Sequence, residues 1–226
     1  MAKYLIHACL PREWYVMEYL IPSMLSQGIR DENISIYLDK NEEGNLESCM
    51  KAFECVPDDD GGTWHLQDDI LLGSNFKKMT EKYDSGIVCG HCYTKHEDRC
   101  ECIGEVEVNK MWYSFPCIRI PNRIARGCAE YYRNDILTDR IYAPWVVAKK
   151  FDDTIFSMYL TTHYPKMTAL NLVPNIVAHI DYLIGGTCAG KDRGELEPMS
   201  MYFDEMDLID DLKKELEKRN DEIATN

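Results

Sequence analysis

Two pairs of adjacent carboxylates are the residues of this chain best suited to chemistry. Asp68 and Asp69 close the run "TWHLQDD" and are followed at once by the apolar "ILLG"; Asp152 and Asp153 open "FDDTIFSMYL". Like charges side by side repel unless something offsets them. For Asp68 and Asp69 one reading is a divalent cation. Mg²⁺ and Mn²⁺ prefer oxygen ligands and often take one or two protein carboxylates plus substrate phosphates. The other reading is first-turn charge on a helix. Asp152 and Asp153 also have two readings. A carboxyl in a pocket beside a second carboxyl has its pKa moved towards the working range and suits a general base. Alternatively, Asp152 caps a helix.

Two further groups carry ligand chemistry. His179 lies in "VPNIVAHIDYL", between Pro174 and the pair Gly185–Gly186. It is either a core histidine or an imidazole ligand for a divalent ion. "CGHCYTKHEDRCEC" supplies Cys89, Cys92, Cys100 and Cys102, with His91 and His96 between them. Four thiolates at that spacing could hold a structural Zn²⁺, or they are ordinary reduced thiols.

These residues need elements to position them. "KYLIHAC", "ISIYLD", "TWHLQ" and "SGIVCGHC" read as strands. Between them, "EWYVMEYLIPSMLSQGI", "LESCMKAFEC" and "SNFKKMTEKY" read as helices, the first stopped by Gly28 and kinked at Pro22. Strand and helix in alternation predict an α/β fold, an open, mostly parallel twisted sheet flanked by helices. Ligands of such sheets bind beyond the carboxyl ends of the strands. Asp39 and the Asp68–Asp69 pair stand at such ends. "SFPCIRIPNRIARGCAEYY" begins extended and ends helical, and 151–164 reads as a helix. The division expected is a main domain over 1–203 and an acidic helical tail over 204–226. In the tail, Ile209, Leu212, Leu216 and Ile223 form a narrow stripe for its own domain or for a partner helix.

The net charge of -14 works against nucleic acid and anionic membranes. It suits either solubility or the gathering of divalent cations. Arg119, Arg123, Arg126, Arg133 and Arg140 could still form a local patch for a polyanion, or be balanced by nearby acids. No apolar run approaches the roughly 20 residues of a membrane span. The start of the chain reads as a first strand and not as an export signal. With ten cysteines and no such signal, the expectation is a cytoplasmic protein with reduced thiols. Its oligomeric state is open.

The order of these motifs resembles the nucleotide-sugar-dependent glycosyltransferases of the GT-A fold, over most of Lys3 to Gly186. "LPREWYVMEYLIPSML" resembles the family's first loop and helix, which implies that Arg12 lies against the nucleotide. "IYLDKNEEGN" resembles the base-recognising loop, which implies Asp39 with Asn45. "HLQDD" resembles the acidic metal motif. Asp69 would bind the metal and Asp68 ribose or the donor sugar, with Gln67 in the ribose-facing place of the first acid of a full Asp-x-Asp motif. "FDDTIFSMYL" resembles the segment carrying the base, Asp152, and an acceptor-orienting acid, Asp153; Phe151 stands where a polar residue is common. "VPNIVAHI" resembles a segment whose histidine, here His179, contacts metal or diphosphate.

The resemblance implies transfer of a sugar from a nucleoside-diphosphate sugar, with a uridine base expected, to an acceptor hydroxyl. Mn²⁺ or Mg²⁺ would assist, and the expected outcome is inversion. Glycan, protein, lipid-linked saccharide and modified DNA base are all open as acceptors. A nucleotidyltransferase is the rival enzyme class, but the loop after the first strand, "HACLPREW", lacks the glycines of a phosphate loop. A non-catalytic nucleotide-sugar or zinc-stabilised binding module is the other rival.

Overall fold

The computed structural model describes residues 2–41, 43–91, 104–107, 115–138, 152–172, 174–185 and 203–225. Strand β1 (Lys3–Cys9) is nearly continuous in apolar residues because it is covered on both faces. Leu5 points to one core cluster, and Tyr4, Ile6 and Ala8 point to the other. A short 3-10 turn, Leu10–Arg12, leads into helix α1, built from Glu13–Tyr15, a π-helical turn at Val16–Leu20, and Ile21–Ser26. The irregularity expected at Pro22 falls in the turn before it. Proline cannot donate to the preceding turn and crowds its carbonyl, and a π-turn accommodates that.

Strand β2 (Ile34–Asp39), helix α2 (Asn45–Glu54), strands β3 (Gly62–Gln67) and β4 (Ile70–Leu72), helix α3 (Phe76–Lys82) and strand β5 (Ile87–Cys89) follow. Then come strands β6 (Gly104–Glu107) and β7 (Cys117–Pro121), helix α4 (Asn122–Tyr131), helix α5 (Asp152–His163), and strands β8 (Thr168–Asn171) and β9 (Val177–His179). Helices α6 (Asp181–Ile184) and α7 (Met206–Thr225) close the order.

The main sheet has seven strands in the order β2-β1-β3-β7-β5-β8-β6. β1 is parallel to β2 and β3, and β5 to β8. The sheet is mixed, because β7 enters antiparallel between β3 and β5, and β6 is antiparallel to β8. The chain leaves β1 towards β2 on one side and returns to β3 on the other, so the carboxyl ends of β1 and β3 border a topological switch point. One face carries α2, α4 and α5 through Phe53, Ile124 and Phe156. The other carries α1, α3 and α7 through Leu20, Phe76 and Leu212.

Helix α7 is part of that second core. Ile209, Leu212 and Leu216 are buried, and Arg219 lies 4.0 Å over the Trp14 ring while pairing with Glu18 at 3.1 Å. The stripe therefore packs on its own domain; the side chain of Ile223 lies outside the described residues. Among the described residues, no helix is long and apolar enough to cross a membrane.

Strands β4 and β9 form a separate antiparallel ribbon, with Ile70 opposite His179. "ILL" and "VAH" are three residues each, too few to show a period in the sequence.

Candidate active site

The ribbon positions the acidic pair. Ile180 N–H donates to the Asp69 carbonyl at 2.8 Å, and the Tyr15 hydroxyl donates to the Ile70 carbonyl at 2.9 Å. The turn between β3 and β4 is thereby held at both ends, beyond the carboxyl end of β3. His179 is brought beside it, with Nε2 at 3.2 Å from Asp69 Oδ2.

The cation facing the pair is Arg12. Its Nη1 lies 2.6 Å from Asp69 Oδ2 and 3.0 Å from Asp68 Oδ1, while Nε donates to the Gly185 carbonyl at 2.7 Å. Asp68 Oδ2 accepts the Cys9 N–H at 2.7 Å, which ties the acid turn to the end of β1. Arg12, Asp68 and Asp69 are all buried. Two adjacent carboxylates are thus tolerated at a strand end because one guanidinium bridges them. Two polar atoms are left over. Arg12 Nη2 and Asp69 Oδ1 are buried without a hydrogen-bond partner among the described residues.

The pair is electrostatically divided. Burial and the neighbouring Asp69 charge push the Asp68 carboxyl up. Burial acts on Asp69 in the same direction, but His179 and Arg12 outweigh it and hold that carboxyl well below the usual range. His91 sits at the same end of the sheet, its ring 6.1 Å from that of His179. Burial, followed by the His179 charge, lowers its pKa to about 3, so it is neutral near pH 7. In the sequence, His91 stands between Cys89 and Cys92. Its place one residue beyond Gly90, after β5, was the available signal.

The second acidic pair opens α5 and belongs to the same region. Burial, Asp153 and then Asp69 raise the Asp152 carboxyl to about 7. Burial also raises Asp153, while its Oδ1 accepts the Thr154 N–H at 2.7 Å. Asp152 Oδ1 accepts the Asp153 N–H at 3.0 Å. Asp152 is thus the first residue of α5 and carries a raised carboxyl pKa.

The remaining predicted residues are placed as follows. Asp39 is buried at the end of β2, and its carboxylate accepts N–H groups from Asn41 (3.1 Å) and Glu43 (3.0 Å). It shapes the loop before α2. Asn45 is exposed at the start of α2, directly after Gly44, whose φ of 88° favours glycine. Gln67 is half-buried, and its N–H donates to the Pro116 carbonyl. Cys89 is buried at the end of β5; Cys92, Cys100 and Cys102 lie outside the described residues, as does Phe151. Among the described residues, no three or more His, Cys, Asp or Glu side chains form a metal cage.

Of the arginines considered as a basic patch, Arg119, Arg126 and Arg133 are balanced by acids. Arg119 pairs with Asp84 at 2.9 Å, Arg126 with Asp58 at 3.3 Å, and Arg133 with Glu47 at 2.7 Å. Arg119 is also buried, Arg123 is exposed, and Arg140 lies outside the described residues.

No family model matches this chain, and no curated protein matches it. Among solved structures, A197 from STIV is 16% identical and superposes with a TM-score of 0.37, covering 79% of this chain and 85% of that one. HddC from Yersinia pseudotuberculosis is 10% identical, with a TM-score of 0.29, covering 56% of this chain and 79% of that one. These superpositions are too loose to carry an argument about activity. What the chain's own fold and site define is an α/β protein with a buried acidic cluster beyond the carboxyl end of β3.

Proposed function

We propose that the protein is a metal-dependent glycosyltransferase of the GT-A type. It moves a sugar from a nucleoside-diphosphate sugar, with uridine as the base, to an acceptor hydroxyl with inversion. The observation that carries this reading is the buried Asp68–Asp69 pair beyond the carboxyl end of β3, with His179 Nε2 3.2 Å from Asp69 Oδ2 and Arg12 bridging both carboxylates. Asp152, raised to about 7, is influenced by Asp69 of the other pair. A general base works best with a pKa near the operating pH.

The residues present fit a hard divalent cation. Asp69 keeps a buried oxygen, Oδ1, that no donor among the described residues satisfies, and the His179 imidazole stands beside its Oδ2. One or two carboxylates are sufficient when substrate phosphates complete the shell. Bound there, Mn²⁺ or Mg²⁺ supplies charge stabilisation for the leaving diphosphate. Arg12 Nη2, without a hydrogen-bond partner among the described residues, is a donor suited to a phosphate oxygen.

Asp152 takes the acceptor hydroxyl's proton as the acceptor oxygen bonds to the anomeric carbon. The bond from that carbon to the diphosphate oxygen breaks, and its electron pair leaves with the diphosphate. Asp153 orients the acceptor. The buried thiols of Cys49, Cys117 and Cys128, none in a disulfide, fit a reducing compartment, for which we propose the cytoplasm.

The test is a panel of nucleotide sugars incubated with the protein and Mn²⁺. Slow release of uridine diphosphate from one or more donors is expected, and Asp69→Asn should lose it. Release of inorganic pyrophosphate from a nucleoside triphosphate and a sugar phosphate, with no donor hydrolysis, identifies a nucleotidyltransferase instead.

A further inference from the structure

We propose that Arg12 is a tethered counter-ion that competes with the divalent cation for Asp68 and Asp69, and that a diphosphate draws it aside. Metal and diphosphate are then admitted together. This rests on the reading of the cleft as a metal–diphosphate site.

The geometry carries the argument. Nη1 of Arg12 bridges both carboxylates, at 2.6 and 3.0 Å, and so occupies the position from which a cation would neutralise the pair. A second cation entering beside Asp69 meets a buried positive charge already in place. The guanidinium is held from the other side by one bond, from Nε to the Gly185 carbonyl. Nη2 donates to nothing among the described residues, although it is buried. A guanidinium with two carboxylates on one nitrogen and none on another is imperfectly satisfied. An anionic oxygen at Nη2 shares its charge and loosens its hold on Asp69 Oδ2. Asp69 Oδ1, also unsatisfied, is then open to a cation that faces less repulsion. Coupling of this kind is reciprocal, so each ligand tightens the other by the same factor.

The test measures Mn²⁺ binding by calorimetry and by the electron paramagnetic resonance of free Mn²⁺, with and without uridine diphosphate. Wild type, Arg12→Gln, Arg12→Lys and Asp69→Asn are compared. Wild type should bind Mn²⁺ weakly alone, and about tenfold or more tightly once uridine diphosphate is present. Arg12→Gln should bind Mn²⁺ alone about tenfold more tightly than wild type and show little further gain from the nucleotide. Arg12→Lys keeps a charge but not the planar fork, and should fall between the two. If Arg12→Gln folds only with Mn²⁺ present, recovery of its cooperative melt on Mn²⁺ addition is the readout, and it supports the proposal.

Mn²⁺ affinity in both arginine variants no higher than in wild type, with Asp69→Asn still abolishing nucleotide-dependent Mn²⁺ binding, overturns the counter-ion role alone. Nucleotide-dependent Mn²⁺ binding that is absent from wild type, or unchanged in Asp69→Asn, removes the metal reading and the proposal with it.

Discussion

Burial, the Asp153 charge and, least, the Asp69 charge raise Asp152 to about 7, so the charge of the turn after β3 is felt at the first turn of α5. Asp69 and Asp152 come from different acidic pairs. The charge of one therefore bears on the proton affinity of the other.

Asp152→Asn should lower transfer by roughly 10²–10⁴-fold while leaving donor binding with Mn²⁺ nearly intact. The base is active when ionised, so wild-type turnover should rise as pH rises through about 7 and then level. Asp152→Asn should lose that rise. Asp153→Asn should instead raise the acceptor KM. If Asp152→Asn keeps near-full transfer and Asp153→Asn is dead, the two roles are exchanged.

The same substitution has a stability signature. Asp152 binds its proton more tightly in the native state than in the unfolded chain. From the ordinary aspartate range up to about 7, the unfolded chain has released the proton and the native chain has not. Stability therefore falls as pH rises across that window. Asp152→Asn should flatten the slope and raise Tm at pH 7 relative to wild type, as read by thermal melts between pH 4 and 8. A lower Tm for Asp152→Asn at pH 7 contradicts the assigned environment.

Without metal, Arg12→Met should cost about 3–5 kcal/mol, because it strands two buried carboxylates. Denaturant melts in a chelator measure this. A loss under about 1 kcal/mol, the size typical of an exposed ion pair, means that the bridge is not buried in solution.

Leu212→Ala should cost about 2–5 kcal/mol, since Leu212 fills the core between α7 and the sheet. Arg219→Ala should cost about 1 kcal/mol through the lost contacts with Trp14 and Glu18. Urea titration of both variants checks whether α7 is part of the folding unit. A Leu212→Ala variant as stable as wild type shows that it is not.

Much of this frame was legible because burial writes a regular pattern. Lys3–Cys9 and Ile34–Asp39 read as strands with the bounds they have. Burial on one side left the stripe of Ile209, Leu212 and Leu216 visible in α7. The β4–β9 ribbon was not legible, because it joins two three-residue segments far apart in the chain. Nor was the antiparallel entry of β7 between β3 and β5, since pairing direction leaves no mark on a single apolar run. At the site, the acidic pairs and His179 stood out by residue type. The partner of the first pair did not. Arg12 reads as the end of a loop, and only the fold carries it to Asp68 and Asp69. A lone arginine gives no clue to which carboxylate it will meet.

The most direct test of the account is calorimetry of uridine diphosphate with wild type and Asp69→Asn, each with and without Mn²⁺. The account predicts that Mn²⁺ strengthens uridine diphosphate binding to wild type and that Asp69→Asn abolishes this gain while remaining folded. Uridine diphosphate affinity that is the same with and without Mn²⁺, or a Mn²⁺ gain that survives in Asp69→Asn, would contradict it.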